Sequence, residues 1–240
     1  MIPKIIHYCW FGKGEMPELV RRCIASWKKH MPDYNFCLWS EENFDVASAP
    51  QYVQEAYAAK KYAFVSDYVR LWALEQEGGI YMDVDFEVYK SFDDLMDKYI
   101  AFAGYEGSKK NPVMMGVLAA EAHNPWIQGM MATYLDRKFV KEDGTLDMTP
   151  NTGYFYDWMT QQGFVGDGVE KDWSGVHILP VEYFCPGLTT GENLRCERTY
   201  CEHKGLHSWS GDGGWKAMLL NIVPQGWKVK LIKLKRKILK

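Results

Sequence analysis

The sequence lacks the features of several protein classes. Its six cysteines form no C-x-x-C pair, and no apolar run approaches the length that spans a membrane. The chain opens with MIPKIIHYCW, without the charged start, apolar core and cleavage site of a secretory leader. These absences disfavour a disulfide scaffold and a membrane-spanning protein. They predict a cytoplasmic protein with free thiols.

A zinc site is also disfavoured. Cys196 and Cys201 lie near His203 and His207. Their spacing, C-x4-C-x-H-x3-H, fits structural zinc patterns poorly.

Acidic residues outnumber basic ones outside the C-terminal end. The net charge is −3, and residues 228–240 contain six lysines and one arginine without an acid, which leaves −10 on the rest of the chain. A nucleic-acid enzyme would carry basic surface on its body. We therefore predict no nucleic-acid partner.

The composition is that of a large globular domain. The 240 residues are 47% hydrophobic, and the 15% aromatic content includes ten tryptophans. Aromatic side chains suit planar or sugar-like ligands, although cores use them too. Without an internal repeat or linker, we expect one domain at 1–224 and a basic amphipathic tail at 225–240.

Hydrophobic periodicity predicts an alternation of strands and helices. Strands are predicted at 5–10, 34–39, 80–84, 99–106 and 113–120. Helices are predicted at 16–30, 51–59, 62–77, 125–137 and 154–162, with loops at 143–153, 163–175 and 205–214. This order predicts an α/β fold with a largely parallel central sheet flanked by helices, and a ligand at the carboxyl ends of the strands.

Two aspartates follow the third predicted strand, in GGIYMDVDFEVYK. Residues i and i+2 of a strand share a face, so Asp83 and Asp85 can converge on one point. Two carboxylates there offer the hard oxygen donors that a divalent cation prefers. The alternative is a pair of solvated carboxylates at a strand end.

Further polar residues lie before and after this pair. Asp67 and Arg70 are three residues apart on the polar, exposed side of the helix predicted at 62–77, where they form an ion pair or reach an anionic or hydroxyl-rich ligand. Later, GLHSWSGDGGWK places His207, Trp209 and Lys216 in a Gly-rich loop. They offer a nitrogen ligand, a stacking surface and a cation for phosphate, unless the histidine is structural.

Three separated segments carry a family resemblance: IPKIIHYCWFGKG, then YAFVSDYVRLWALEQEGGIYMDVDFEVYKSFDDL, then HSW. Together they resemble the glycosyltransferases with a DXD sugar-binding region, which include yeast mannosyltransferases and bacterial capsule or lipopolysaccharide enzymes. The catalytic domains of clostridial glucosylating toxins share these motifs. The resemblance implies a GT-A fold, a nucleotide-sugar donor (a UDP- or GDP-sugar), a manganese or magnesium ion and retention of anomeric configuration.

The resemblance also implies roles for individual residues. Trp10 would stack on the nucleotide base, Tyr81 would lie near the diphosphate and Trp209 near the leaving phosphate. The full donor-binding set would be Trp10, Asp67, Arg70, Tyr81, Asp83, Trp209 and Lys216. The metal ligands would be Asp83, Asp85 and His207, and the catalytic residues Asp83, Asp85 and Arg70.

We expect a metal-dependent retaining hexosyltransferase that acts on a saccharide or lipid-linked saccharide in bacterial surface polysaccharide synthesis. One alternative is a non-catalytic nucleotide-sugar-binding module. Another is an aspartyl-nucleophile phosphohydrolase, which is disfavoured because Glu87 stands where such enzymes carry Thr or Val.

The basic tail suggests a place for this activity. In residues 226–240, apolar residues alternate with seven cations. If this segment forms a helix, Leu231, Leu234 and Ile238 lie on one side of it. Such a helix can bind anionic lipid on the inner face of the plasma membrane. A terminal helix packed on the domain, or a solvated tail, is the alternative.

Overall fold

A seven-stranded sheet lies at the centre of the protein, and the computed structural model describes residues 1–107, 112–187 and 194–205. The strands of this sheet are β1 (Ile5–Cys9), β2 (Asn35–Trp39), β3 (Gly79–Met82), β5 (Ala101–Tyr105), β6 (Val113–Ala120), β7 (Lys171–Trp173) and β8 (Val176–Leu179). A separate two-stranded sheet consists of β4 (Phe86–Val88) and β9 (Cys201–His203).

The strand order of the main sheet is β2-β1-β3-β6-β5-β8-β7. β1 is parallel to β2 and β3, and β5 is parallel to β8. β6 is antiparallel to both of its neighbours, and β7 is antiparallel to β8. Five strands therefore share one direction, which confirms the predicted α/β fold with a mostly parallel sheet. Periodicity alone does not reveal that β6 runs the other way.

Helices cover both faces of this sheet. They are α1 (Glu18–His30), α2 (Gln51–Ala58), α3 (Tyr62–Glu77), α4 (Asp93–Lys98), α5 (Pro125–Ala132) and α6 (Asn151–Gln161). Residues of α2, α3, α5 and α6 pack with Tyr81, whereas residues of α1 and α4 pack with Ile80 and Met82 on the opposite face. The strand pleat thus divides the core into two layers. No helix in the described ranges has the length and apolar character needed to cross a bilayer.

The predicted element bounds agree best where a pattern is long. The helix at 62–77 and the strand at 113–120 have the bounds that were predicted. The helix predicted at 125–137 ends earlier, at Ala132, and the one predicted at 154–162 begins at Asn151. The predicted loop at 163–175 contains the short strand β7.

One strand end was predicted wrongly, and it affects the site. β3 ends at Met82 instead of residue 84. The N–H of Asp83 still donates to the carbonyl of Gly116 at 2.8 Å, but Phe86 N–H then donates to the carbonyl of Asp83 at 3.2 Å. This bond closes a turn that takes the chain out of the main sheet and into β4.

Two glycines join α3 directly to β3. Gly78 and Gly79 have φ of +65° and +108°, values that residues with a Cβ rarely adopt. A Cβ on Gly79 would also lie 2.7 Å from the carbonyl oxygen of Ile5. The short connection fixes the aspartate turn beside the buried face of α3.

Candidate active site

A cleft of about 800 Å³ opens at the carboxyl ends of β1, β3 and β5. Trp10 follows β1, the Asp83–Asp85 turn follows β3 and Glu106 follows β5, and all of them line the cleft. Ligands of α/β sheets bind at such strand ends. The cleft therefore has the position that the element order predicts.

Arg70 connects three parts of the cleft wall. Its side chain is 6% exposed; Nη1 donates to the carbonyl of Met115 at 2.5 Å, and Nη2 donates to Asp67 Oδ1 at 2.7 Å. Nη2 also lies 3.4 Å from Asp83 Oδ1, and the guanidinium lies 4.7 Å from the ring centre of Tyr81. A planar guanidinium held by so many partners has a fixed orientation.

The expectation that Asp67 and Arg70 lie on an exposed side of α3 was wrong. Both are buried, because α3 is covered by the sheet and by neighbouring helices over most of its surface. The ion pair expected as the structural alternative does form, and it forms in the cleft wall. Burial raises the pKa of Asp67 to about 6, although the positive charge of Arg70 lowers it.

Asp83 is oriented by neighbours on both sides. Tyr81 Oη donates to Asp83 Oδ1 at 2.7 Å. A Cβ on Gly116 would lie 2.9 Å from Asp83 Oδ2, so the glycine makes room for the carboxylate. Burial raises the pKa of Asp83, against the lowering effect of Arg70.

Asp85 has a different environment, although it is two residues away. Its Oδ2 lies 3.0 Å from His203 Nε2, and the residue is 6% exposed. Burial lowers the pKa of His203, but the charge and hydrogen bond of Asp85, together with the charges of Asp83 and Glu106, raise it by more, so the net shift is upward. His203 is brought here by the pairing of β9 with β4, in which it stands opposite Phe86.

The strand-face argument for the two aspartates was therefore incorrect, because Asp83 and Asp85 lie in a turn. They line one cleft but contact different partners. His203, which had been considered with the disfavoured zinc pattern, is a site residue that the sequence did not identify. Its signal was too weak to find, since a three-residue strand shows no periodicity.

Trp10 follows β1 and is the first of the motif residues along the chain. It is half-buried and lines the cleft, whereas the neighbouring Cys9 and Phe11 are buried in the core. Its Nε1 donates to the carbonyl of Gly14 at 2.6 Å, and its N–H donates to the carbonyl of Trp39 at 2.9 Å. One hydrogen bond from the indole N–H and one from the backbone N–H therefore hold Trp10 at the cleft wall.

The first turns of α6 form a second wall that carries no recognised motif. Asn151, Thr152, Gly153, Tyr156 and Asp157 line the cleft. Asn151 is 7% exposed, and its Nδ2 is a buried atom without a hydrogen-bond partner. Such an unpaired amide is costly in a folded protein, so it is a candidate ligand contact.

Several predicted residues lie outside the described residues. They are His207, Trp209, Lys216 and the tail at 225–240. Within the described ranges, no group of three or more His, Cys, Asp or Glu side chains is arranged to hold a metal ion. Asp83 and Asp85 still fit a hard divalent cation as two oxygen donors, with phosphate oxygens and water as the remaining ligands.

Comparison with known proteins supports a sugar-transfer site. Residues 17–101 match the family model described as the glycosyltransferase sugar-binding region containing a DXD motif. The chain is 24% identical over 227 residues to the uncharacterized glycosyltransferase L373 of Acanthamoeba polyphaga mimivirus, which covers 88% of this chain and 84% of the viral protein.

A shorter match involves the fission yeast Schizosaccharomyces pombe. Its inositol phosphoceramide mannosyltransferase 3 is 33% identical over 98 residues, which are 40% of this chain and 27% of the yeast enzyme. The match thus spans about a quarter of the yeast protein's length.

Solved structures give weaker similarities. The galactosyltransferase LgtC, in complex with donor and acceptor sugar analogues, is 14% identical at a TM-score of 0.47, and the alignment covers 94% of this chain and 99% of LgtC. The PaToxG glycosyltransferase is 20% identical at a TM-score of 0.47, over 68% of this chain and 71% of that one. TM-scores below 0.5 do not support residue-level comparison.

The family match includes Asp67, Arg70, Tyr81, Asp83 and Asp85, all of which line the cleft. The match that extends over most of the chain is also to a glycosyltransferase. Residues 17–101 are therefore similar to the DXD-containing sugar-binding region of glycosyltransferases, and sugar transfer is the activity that the comparisons support.

Proposed function

We propose that the protein is a metal-dependent retaining glycosyltransferase that moves a hexose from a nucleotide-sugar donor to a saccharide acceptor. The observation that carries this proposal is the convergence of Asp67, Arg70, Asp83 and Asp85 on one cleft at the carboxyl ends of the strands. The cleft also offers Trp10 as a stacking surface for a base.

The cleft has the charges that a nucleoside diphosphate needs. Lys60, Lys61 and Arg70 line it, and Arg70 is held in place by its contacts with the backbone and with Asp67. Asp83 and Asp85 would hold a Mn²⁺ or Mg²⁺ ion, which neutralises the charge that develops on the leaving diphosphate. His207 is the further ligand predicted from the resemblance.

The proposed reaction exchanges one bond at the anomeric carbon. The acceptor hydroxyl oxygen forms the new glycosidic bond, and the bond between the anomeric carbon and the phosphate oxygen breaks with its electron pair on the nucleoside diphosphate. The hydroxyl proton passes to the released diphosphate. Retention requires that the new bond form on the face that the diphosphate leaves, and Arg70 and Asp67 would hold the sugar during this exchange.

Other features of the proposal rest on similarity. The yeast relative is named a mannosyltransferase of inositol phosphoceramide, so mannose is a sugar to test first. A role in surface polysaccharide synthesis and binding of the tail at 225–240 to anionic lipid remain predictions.

A thermal-shift panel tests the proposal directly. Ligands that prefer the folded state raise the melting temperature. UDP-glucose, UDP-galactose and GDP-mannose would each be added with and without Mn²⁺. We expect at least one donor to raise the melting temperature only with Mn²⁺, and to release its free sugar slowly in the same mixture. A chain that no donor stabilises under either condition would contradict the proposal.

A further inference from the structure

We propose that the cleft-facing side of α6 is the acceptor subsite and that it binds a neutral saccharide. This side is formed by Thr152, Gly153, Tyr156 and Asp157. The inference rests on the proposed glycosyl transfer, and it assigns to the second wall of the cleft a role that the DXD motif does not cover.

The helix presents two different sides. Phe155 and Met159 are fully buried and attach α6 to the core. Residues 152 and 156, and residues 153 and 157, are each four apart, so the four lie together on a side next to the buried one, and this side is partly or fully exposed. Their orientation is thus fixed by packing, while the groups themselves remain accessible from the cleft.

Charge divides the cleft between two kinds of ligand. Among the described cleft-lining residues, the only lysines and arginines are Lys60, Lys61 and Arg70. Lys60 and Lys61 directly precede α3, and Arg70 lies within it. The α6 side has no cation and carries the carboxylate of Asp157. Phosphates are therefore favoured near α3, and an uncharged ligand rich in hydroxyl groups is favoured near α6.

The side chains of α6 suit a sugar. Tyr156 offers an aromatic ring with a polar end, and Thr152 offers a hydroxyl. The Asp157 carboxylate is exposed and has no hydrogen bond or ion pair with the described residues. A carboxylate accepts hydrogen bonds through two oxygens, which matches the adjacent hydroxyl groups of a pyranose.

Gly153 leaves open space at a helical position where the fold does not require a glycine. A Cβ at this position would meet no atom within 4 Å, and its φ is not positive. Glycine is less favourable than alanine in a helix, so neither packing nor backbone geometry explains it. The open volume in front of Gly153 is room for a ligand beside Tyr156 and Asp157.

The test introduces a larger side chain into this volume and measures both sugar transfer and donor hydrolysis. In Gly153→Leu, the new side chain meets no protein atom near its Cβ but occupies the proposed subsite. The probes are the nucleotide sugar that the wild-type chain hydrolyses, with Mn²⁺, and methyl α- and β-glycosides of glucose, galactose and mannose. We expect the ratio of transfer to hydrolysis to fall about tenfold or more, as for a substrate that loses its binding contacts.

Two matched variants serve as controls. Gly153→Ala adds only one carbon and should keep the ratio within about twofold of wild type while raising the melting temperature, since alanine favours the helix. Gln161→Leu places the same leucine on an exposed position of α6 outside the cleft and should leave the ratio unaltered.

The outcomes separate the two proposals. A wild-type chain that neither binds nor hydrolyses any donor would contradict the proposed function itself. If hydrolysis occurs, an unaltered ratio in Gly153→Leu, an equal loss of donor affinity and transfer, or no transfer by wild type to any glycoside would overturn the acceptor subsite.

Discussion

The two walls of the cleft differ in how their polar groups are held. On the motif wall, Arg70 contacts Asp67, Asp83 and a backbone carbonyl, and Tyr81 donates to Asp83. On the α6 wall, Asn151 has a buried amide nitrogen without a partner. The first wall is fixed before a ligand arrives, whereas the second has contacts still to make.

This difference matches two tasks. Groups that stabilise a transition state act best when they are already oriented, because they need no reorganisation during reaction. Groups that select an acceptor vary with the acceptor. This difference supports the proposal that the charged motif residues bind the donor and that the α6 wall, which carries no lysine or arginine in the described cleft lining, binds the acceptor.

Removing the charge of Arg70 from the motif wall should have the largest effect on the stability of the fold. In Arg70→Met, Asp67 and Asp83 lose the positive charge that both of them contact. Removing one partner of a buried pair costs about 3–5 kcal/mol, and we expect the free energy of unfolding in urea to fall by that amount. Arg21→Met, at an exposed ion pair with Glu18, should change it by less than about 1 kcal/mol. Equal effects of the two substitutions would contradict a fixed motif wall.

The two walls also differ in how far the sequence reveals them. The helix α3 was predicted with its observed bounds, because sixteen residues of apolar pattern before Gly78-Gly79 leave little ambiguity. The strand β6 was located, but its antiparallel direction depends on pairing between distant segments.

The site was only partly predictable, for a related reason. The predicted residues Trp10, Asp67, Arg70, Tyr81, Asp83 and Asp85 all line one cleft, and their roles stay predictions. His203 and Asn151 were missed because no local pattern marks them. Each reaches the cleft through a long-range contact, by strand pairing for His203 and by helix packing for Asn151.

A second way to sharpen the comparison uses the pKa of Asp67. Folded Asp67 keeps its proton up to about pH 6, whereas the unfolded residue releases it near the ordinary value of 3.8. The folded state then binds more protons between these values, so this group lowers stability as pH rises. Burial is the main cause of this raised pKa; Asp83 raises it further, and Arg70 and Arg137 lower it.

Asp67→Asn removes this titration and keeps an oxygen acceptor for Arg70. We expect the variant to gain up to about 3 kcal/mol over wild type between pH 4 and pH 7 in urea unfolding, and to bind the donor more weakly. Asp97→Asn, at an exposed position of α4, is the control. A variant less stable than wild type at pH 7 would show that the charged pair is retained for stability instead of function.

A third prediction concerns the stacking surface at the edge of the motif wall. Trp10→Ala should weaken donor binding by about 1–3 kcal/mol, the range for stacking of a base on an aromatic ring. Because Trp10 is half-buried, the melting temperature should change little. Trp10→Phe retains a ring and should recover part of the affinity measured by calorimetry. An Ala variant that loses stability but not affinity would place Trp10 in the core.

The smallest effect is expected on the α6 wall. Asn151→Leu replaces an unpaired buried amide by an apolar group of similar size, so the ligand-free chain should be as stable as wild type or more stable by about 1 kcal/mol. The same variant should bind the donor or acceptor about tenfold more weakly. A large loss of stability in the ligand-free chain would mean that the amide is part of the core instead of a ligand contact.

The central claim is that sugar transfer depends on a metal ion held by the aspartate turn. The measurement that tests it most directly is release of nucleoside diphosphate from the donor, with and without Mn²⁺, in wild type and in Asp85→Asn. Asparagine retains an oxygen acceptor for His203 but loses the negative charge, so the fold should remain intact. The account predicts that wild type requires Mn²⁺ and that the variant loses about a thousandfold in rate, the order seen when one stabilising group for developing charge is removed. Release that is independent of the metal, or a variant with more than about a tenth of the wild-type rate, would contradict it.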